Sequence, residues 1–535
     1  MNLKALLVSF LFILSVLSTV QLSAESSNTA TPIKHVVILM LENHAFDSLF
    51  GTYPFGYPVI ENNITLSLMR PVNYIYNVSL LQELINDRGN VSWISLPDGN
   101  GVLHPYYANS TVLKDPVEGY VNYHEDWNWG KMNGFVNGSG PQSLAYVSYE
   151  QVPVLWDYAE EYVLFDNYFS ATLSVTVPNR IAMITGYPTQ VESDSPQFNE
   201  IPYNSSILYQ LSKYNVSWDW YEYGYSRDFQ LISPDLYLGY NNTAPLPVSL
   251  LTNSSQWNSH YLDLTDFIDS AERGDLPSVS FVMFTGPAGY DTHVPGLDMH
   301  PPFNTTISMI ALTKVINAVM TGPDWNSTVI FITFDEGGGY FDQVIPPIVY
   351  GYGLANAPTI SKVMPGYFTL GQRIPTILIS PYAKEGFVDN YTSSDYSILA
   401  FIDYNWRLPY LNPIVEEFGA NSIIDAFNFT KPRAPIILTP ENWTYPLKLQ
   451  YPIHYGYVAT VNNNYTIYNE IYKVKGLGEF TLPSYFVQAN AYSGGASGSI
   501  SSPSEAGGSG SFSLLLLIPI LVVIIAVGIY LERRR

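Results

Sequence analysis

Cysteine is absent from this 535-residue sequence, so disulfides contribute nothing to its stability, even in an oxidising compartment. Charge is scarce as well. Only 13% of residues are Asp, Glu, Lys or Arg, and with 46 acids against 23 bases the formal net charge is -23. A polyanionic surface argues against nucleic acid as a partner. Polarity comes instead from Asn, Ser, Thr and 43 tyrosines. Protonation of carboxylates that are paired in the native state is what usually drives acid unfolding. A chain with few ionisable groups therefore suits acidic surroundings, a hypothesis that the pH dependence of stability tests below.

Long apolar runs occur at the two ends. Residues 1–24 carry one early lysine, an apolar stretch from Ala5 to Val20 and small residues ending at Ala24, the pattern of a secretory signal peptide. Residues 512–531 contain the run Leu514 to Leu531, followed by a basic tail, 532–535, with Arg533, Arg534 and Arg535. Eighteen residues at helical rise nearly span a hydrocarbon core of about 30 Å, and the basic cluster should stay on the cytoplasmic side. The expectation is an extracellular body held by a single C-terminal transmembrane anchor. Residues 490–511, rich in Gly and Ser, form the tether. Sequons at Asn63, Asn77, Asn109, Asn204, Asn326 and Asn442 suggest a glycosylated surface.

Within the body, "HVVILML" (35–41), "SVSFVMF" (278–284), "VIFITF" (329–334) and "PTILIS" (375–380) are apolar without alternation, as in parallel strands buried on both faces. Between them, 178–185 and 307–321 read as helices. This alternation predicts an α/β fold with a mostly parallel central sheet and helices on both faces, over residues 30–430. The Tyr/Asn-rich stretch from about 55 to 125 reads as a long insertion carrying loops. Residues 431–489 read as a β-rich extension, placed at an edge of the same sheet.

The chemistry gathers at strand ends. In open α/β sheets, ligands sit outside the carboxyl ends of the strands. "HVVILML" runs into Glu42 and Asn43, and "VIFITF" into Asp335 and Glu336. Either these groups cap the following helices, or three carboxylates and an amide converge on a divalent cation, which oxygen ligands suit. In "SATLSVTVPNRIAMITG", Pro178 falls in the first turn of the expected helix. That puts Thr176 at a helix N-terminus, where unpaired N–H groups and the dipole favour an anion. Thr176 is then either an ordinary residue near a cap or a nucleophile activated by a neighbouring metal.

Six motifs in order resemble the phosphoesterase family of secreted acid phosphatases and bacterial phospholipases C, within the alkaline-phosphatase-like superfamily. They are Glu42 to Asp47, Trp127 to Phe135, Thr176 to Arg180, Asp298 to Pro302, Thr333 to Asp342, and 371–389. The resemblance implies that Glu42, Asn43, Asp335 and Glu336 hold a divalent metal ion and that Thr176 attacks phosphorus. It implies that Asn179 and His104 contact phosphoryl oxygens. His300, oriented by Asp298, would protonate the leaving oxygen, because an imidazole pKa suits proton transfer. His293 is a further candidate for substrate contact, and for His104 and His293 a structural role is equally open. Departures are also plain. Gln343 and Gly337 stand where relatives often carry histidine or a polar residue, and "SSDYS" (393–397) lacks a histidine common there. Metal sites in the wider superfamily often include histidine, so the resemblance leaves the number of metal ions open. It implies an extracellular metal-dependent acid phosphatase acting through a phosphothreonine. The alternatives are a phospholipase C or other phosphodiesterase and, in a different class, an inactive cell-surface binding protein.

Overall fold

In a computed structural model of the chain, the run His35–Leu41 is a strand over the same seven residues. Val36 to Leu41 are each at most 1% exposed. At about 1.5–3 kcal/mol per buried apolar side chain, this one strand contributes on the order of 10 kcal/mol to the core before entropy is counted. The structure describes residues 29–51, 53, 96–97, 102–103, 105–130, 132–188, 203–223, 259–284, 296–350, 367–440, 471–474 and 478–481. The expected leader, tether and anchor lie outside these residues, as do His104 and His293. The chain divides into units 1–493 and 494–535, and every described residue belongs to the first. Among the described residues no helix is long and apolar enough to cross a membrane.

The central sheet has eight strands: β1 (His35–Leu41), β2 (Val163–Phe165), β3 (Trp218–Glu222), β4 (Tyr261–Asp263), β5 (Val279–Met283), β6 (Thr328–Phe334), β7 (Thr376–Ile379) and β8 (Phe387–Asp389). In space they run β8-β2-β7-β6-β1-β5-β3-β4. β1 lies between β5 and β6, parallel to both, which is why its apolar residues do not alternate. The correction concerns β7, expected to be parallel. It runs antiparallel to both β6 and β2. A strand buried on both faces looks the same in sequence whichever way it runs. The reversal matters, because it brings the residues that precede β7, Gln372 and Arg373, to the edge where β1 and β6 end.

Eight helices matter here: α1 (Phe46–Phe50), α2 (Tyr120–Trp127), α3 (Pro153–Glu161), α4 (Thr176–Thr185), α5 (Ile207–Lys213), α6 (Leu264–Arg273), α7 (Thr305–Thr321) and α8 (Asp395–Asn405). They pack in two groups, α3 and α6 against α7, and α4 with α5 and α8. All ten residues of α4 are buried, and its end is closed by Gly186 in the left-handed region, φ 65°.

Two further expectations are corrected. The last part of the presumed loop insertion is built into the fold: Tyr106 and Tyr107 pair with Ala145 and Tyr146, and α2 buries Tyr123 and Trp127. In the C-terminal extension, Ile471–Val474 and Gly478–Thr481 form a two-stranded antiparallel sheet of their own, not an edge of the central sheet. Of the sequons that are described, Asn204 and Asn326 are exposed, as attachment of a glycan requires, whereas Asn109 is half-buried beside Gln151.

Candidate active site

The carboxyl ends of β1 and β6 are stitched together by backbone. The Asp335 N–H donates to Leu41 O at 3.0 Å and the His44 N–H to Glu336 O at 3.2 Å. The Glu42 N–H donates to Asp298 O at 2.8 Å, which ties in the loop after β5. Asn43 has φ 63°, a left-handed conformation that Asn tolerates better than most residues. Gly338, φ 62°, packs against it so closely that a Cβ there would lie 2.3 Å from Asn43 O. Neighbouring strands and a glycine contact thus present Glu42, Asn43, Asp335 and Glu336 at one edge, as expected from the sequence.

Thr176 is the first residue of α4, and its hydroxyl lies against the Asp335 carboxyl. Arg180, one turn along the same helix, was not anticipated. Its Nη2 meets Glu42 Oε1 at 2.5 Å and its Nε meets Asp335 Oδ2 at 3.4 Å. Burial works against the charge of Arg180, but Glu42, Asp335, Glu222 and Asp298 outweigh it and raise the guanidinium pKa above its ordinary value. Glu222, the last residue of β3, was also missed. Burial, opposed by Arg180 and reinforced by Glu42, moves the Asp335 carboxyl up to about 7. Glu336 is held on both oxygens, by the Tyr123 hydroxyl at 3.0 Å and the Gly338 N–H at 2.6 Å.

At the mouth, a second set assembles. Asp115, Glu118 and His300 offer ligand atoms that all lie within 4.8 Å of one another, with Asp115 exposed and the other two half-buried. The Asn43 side-chain amide donates to Glu118 Oε1 and lies 3.1 Å from His300 Nε2. Nothing in the spacing of "LKDPVEGY" marked Asp115 or Glu118, because neither periodicity nor a strand end accompanies them.

Asp298 does not orient the His300 ring. Its Oδ1 accepts the backbone N–H of His300 at 2.9 Å, while the ring Nδ1 donates to Pro301 O at 2.6 Å. Burial lowers the His300 pKa, but Glu42, Glu118, Asp298 and Asp115 together raise it to about 10. This is a point where the surroundings strongly favour positive charge. Asn179, expected at phosphoryl oxygens, is turned back onto its own chain. Its Nδ2 donates to Ser174 O and Val175 O, and its Oδ1 accepts from the Thr172 N–H at 2.8 Å. It shapes the turn that launches α4. His44 is structural too. It stacks on Tyr340 at 4.9 Å and donates to Met299 O, and burial drives its pKa down to about 3.

Beneath the site, Arg373 is fully buried and bonds to Asp342, to Asp47 at 2.8 Å and to Asp166 O at 3.0 Å. It gathers three of the sequence motifs into one network. In "SSDYS", Ser394 caps α8, and Asp395 accepts the Tyr168 hydroxyl at 2.9 Å.

Whether these residues fit a cation is decided by two observations. Asn43 Oδ1 is buried with no hydrogen-bond partner among the described residues. The carboxyls of Glu42, Asp115, Glu118, Asp298, Asp335 and Glu336 crowd around the two positive groups Arg180 and His300. An orphaned acceptor amid excess negative charge is the environment an oxygen-ligated dication fills. The donor set fits.

A family model described as the Phosphoesterase family matches residues 33–409. The chain belongs to that family, and is a phosphoric ester hydrolase by that membership. It is 26% identical over 455 residues to a non-hemolytic phospholipase C of Burkholderia pseudomallei, covering 76% of this chain and 60% of that protein. It is 24% identical to phospholipase C B of Mycobacterium tuberculosis over 76% of this chain and 79% of that one. Its identity to non-specific phospholipase C6 of Arabidopsis thaliana is 28%, over 71% of this chain and 67% of the plant protein. The chain thus spans about three fifths of the length of the Burkholderia relative.

Proposed function

We propose that this protein cleaves phosphodiesters of the phospholipid type through a covalent phosphothreonine at Thr176, outside the cell and in acidic surroundings. The observation that carries the reading is the position of the Thr176 hydroxyl. It sits at the first residue of a buried ten-residue helix, against Asp335 and next to the edge that presents Glu42 and Asn43. Thr176 opens α4, and Pro178 in its first turn has no N–H to satisfy, so the dipole at this terminus favours a phosphoryl oxygen.

Glu42, Asn43 and Asp335 are the residues that would hold a divalent metal ion, with Glu336 beside them. When bound, such an ion lowers the pKa of the neighbouring hydroxyl and offsets phosphoryl charge. As Thr176 Oγ1 bonds to phosphorus, it gives up its proton to solvent water. The bond from phosphorus to the leaving oxygen breaks, and that oxygen takes up a proton from solvent water. Water then attacks the phosphothreonine, which releases the phosphate ester and restores Thr176.

The sequence favoured phosphate monoesters, as in an acid phosphatase. The relatives' names favour a phospholipase C, and Val117 and Val121, 52% and 65% exposed around Glu118, offer an apolar rim beside the site. Hydrolysis of p-nitrophenyl phosphorylcholine and p-nitrophenyl phosphate by the full chain, from pH 2 to 8 with and without chelator, separates the two. The diester should be cleaved faster, the chelator should abolish cleavage, and Thr176→Ala should lower it by about a thousandfold or more. Chelator-sensitive cleavage of the monoester alone would return the reading to an acid phosphatase. Undiminished activity in Thr176→Ala would remove the phosphothreonine. Location is tested by protease treatment of intact cells, which should release or destroy the activity if the body is outside.

A further inference from the structure

We propose that Asp115, Glu118 and His300 hold a second dication at the mouth of the site, on the solvent side of Asn43. This ligand set is separate from Glu42, Asp335 and Glu336, and two of its three members, Asp115 and Glu118, come from a segment that no motif singled out. The inference does not depend on Thr176 being the nucleophile.

Distance is the first support. Ligand atoms about 2.0–2.2 Å from a metal lie at most about 4.4 Å from one another. The three donors already lie within 4.8 Å, so side-chain rotations of a few tenths of an ångström close the sphere. Contact between carboxyls is the second. The Asp115 and Glu118 carboxyls are close enough to hydrogen-bond each other, a juxtaposition held by a shared proton that a bound cation would displace.

The state of the His300 ring is the third, and it is independent of the acidic groups. Pro301 O can only accept, so the 2.6 Å contact places a proton on Nδ1. A hydrogen bond from one ring nitrogen to a carbonyl is how proteins fix the tautomer of a metal-ligating histidine. Nε2 faces Glu118 Oε1 at 3.5 Å and the Asn43 amide at 3.1 Å, the point where a cation would take the place of its proton. Asn43 itself is 0% exposed, with Oδ1 unpartnered among the described residues. A half-turn of that amide would present Oδ1 to the same point as a fourth ligand. Its backbone is locked by Gly338, so the amide is held at the boundary between the two ligand sets.

Two carboxylates, an imidazole and an amide suit Zn²⁺ or Mn²⁺ better than Mg²⁺, which prefers an all-oxygen octahedron. Asp115 is exposed, so the ion can load from solution. With Nε2 on a cation, His300 has no proton to give a leaving oxygen. Its role is that of a ligand, in place of the acid role expected from the sequence.

The test counts ions on the full chain. Protein stripped with chelator is reloaded with Mn²⁺ or Zn²⁺, and bound metal is measured by native mass spectrometry and calorimetry. The unsubstituted chain should bind two ions, and Glu118→Gln and Asp335→Asn should each bind one. Asp115→Asn should weaken one of the two sites by at least about tenfold. Asp115 is exposed and Glu118 only half-buried, so unchanged circular dichroism is expected and separates lost binding from lost folding. The Mn²⁺-loaded chain should show a nitrogen coupling in its electron spin-echo spectrum that His300→Gln lacks. Equal ion counts and affinities in the unsubstituted chain and Glu118→Gln would overturn the proposal. So would a single ion in the unsubstituted chain that is absent from both Glu118→Gln and Asp335→Asn, no bound ion at all, or no nitrogen coupling. A single ion lost in Glu118→Gln but kept in Asp335→Asn would uphold this site and remove the other.

Discussion

Replacing Arg373 with methionine removes a buried cation that pairs with both the Asp47 and Asp342 carboxylates. Both acids and Arg373 are 0% exposed. Arg373 Nε lies 3.1–3.2 Å from both Asp342 oxygens and Nη2 lies 2.8 Å from Asp47 Oδ1. The guanidinium also covers the Phe46 ring at 4.2 Å. Removing one partner of a buried ion pair typically costs about 3–5 kcal/mol, because the remaining charge is left without compensation. Against a total stability of about 5–15 kcal/mol, that is a large fraction. Methionine keeps most of the packing, so the loss should come from charge. Burial already raises the Asp342 pKa, and Arg373 holds part of that rise back. Without Arg373 the Asp342 carboxyl should titrate higher in the folded state. The variant's deficit should therefore shrink as pH falls from 7 to 4, where the folded state can neutralise it. Urea unfolding of the full chain, followed by tryptophan fluorescence at both pH values, reads the effect. Adding Asp47→Asn and Asp342→Asn to Arg373→Met should recover about half of the loss or more. A loss under about 1 kcal/mol at pH 7, or a deficit that grows in acid, would refute the electrostatic account.

Other outcomes follow from the same geometry. Burial, with Glu160 and Glu161 adding to it, raises the Asp157 carboxyl to about 8; burial also raises Asp403 to about 8 and Asp389 to about 7. Between roughly pH 4 and these values the folded state holds protons that the unfolded chain has released, so unfolding free energy should fall as pH rises through that window. Urea midpoints should thus be highest near pH 4, and a maximum at pH 8 would contradict both the assignment and the acid setting. Both Asp157 oxygens are buried with no hydrogen-bond partner among the described residues, so Asp157→Asn should stabilise the protein at pH 8 and change little at pH 4. Gly338→Ala combines a left-handed φ with a methyl group 2.3 Å from Asn43 O. It should cost about 1–3 kcal/mol and weaken metal binding by displacing Asn43. Gly419→Ala, with φ 62° but its nearest atom 3.7 Å away, should show only the milder backbone penalty and unchanged metal binding.

The acid setting connects composition to structure. A chain with few charged groups reads as one that avoids acid-sensitive ion pairs. The structure adds that several of the carboxyls it keeps, Asp157, Asp389 and Asp403, are buried where the neutral form is favoured. For these groups low pH is the stabilising condition.

β1, β6 and α4 were legible in sequence because each carries its own local signal. An unbroken apolar run bounded by polar residues means a strand buried on both faces, and a proline in a first turn means a helix start. The polar residues that end those elements, Glu42, Asn43, Asp335 and Thr176, were therefore found before any coordinates. Short strands such as Trp218–Glu222 and Phe387–Asp389 escaped, since three to five residues with mixed polarity carry no period. The direction of β7 escaped because hydrophobicity has no polarity along the chain.

What the sequence determined by itself is the identity and order of the elements that reach the site, since periodicity and capping act over neighbouring residues. What the tertiary structure decided is which charges meet. Arg180 lies between Glu42 and Asp335, residues 138 and 155 positions away, and Asp115 and Glu118 lie against His300 from a segment with no motif of its own. Electrostatic energies depend on distance through space and on burial, and neither is encoded in separation along the chain.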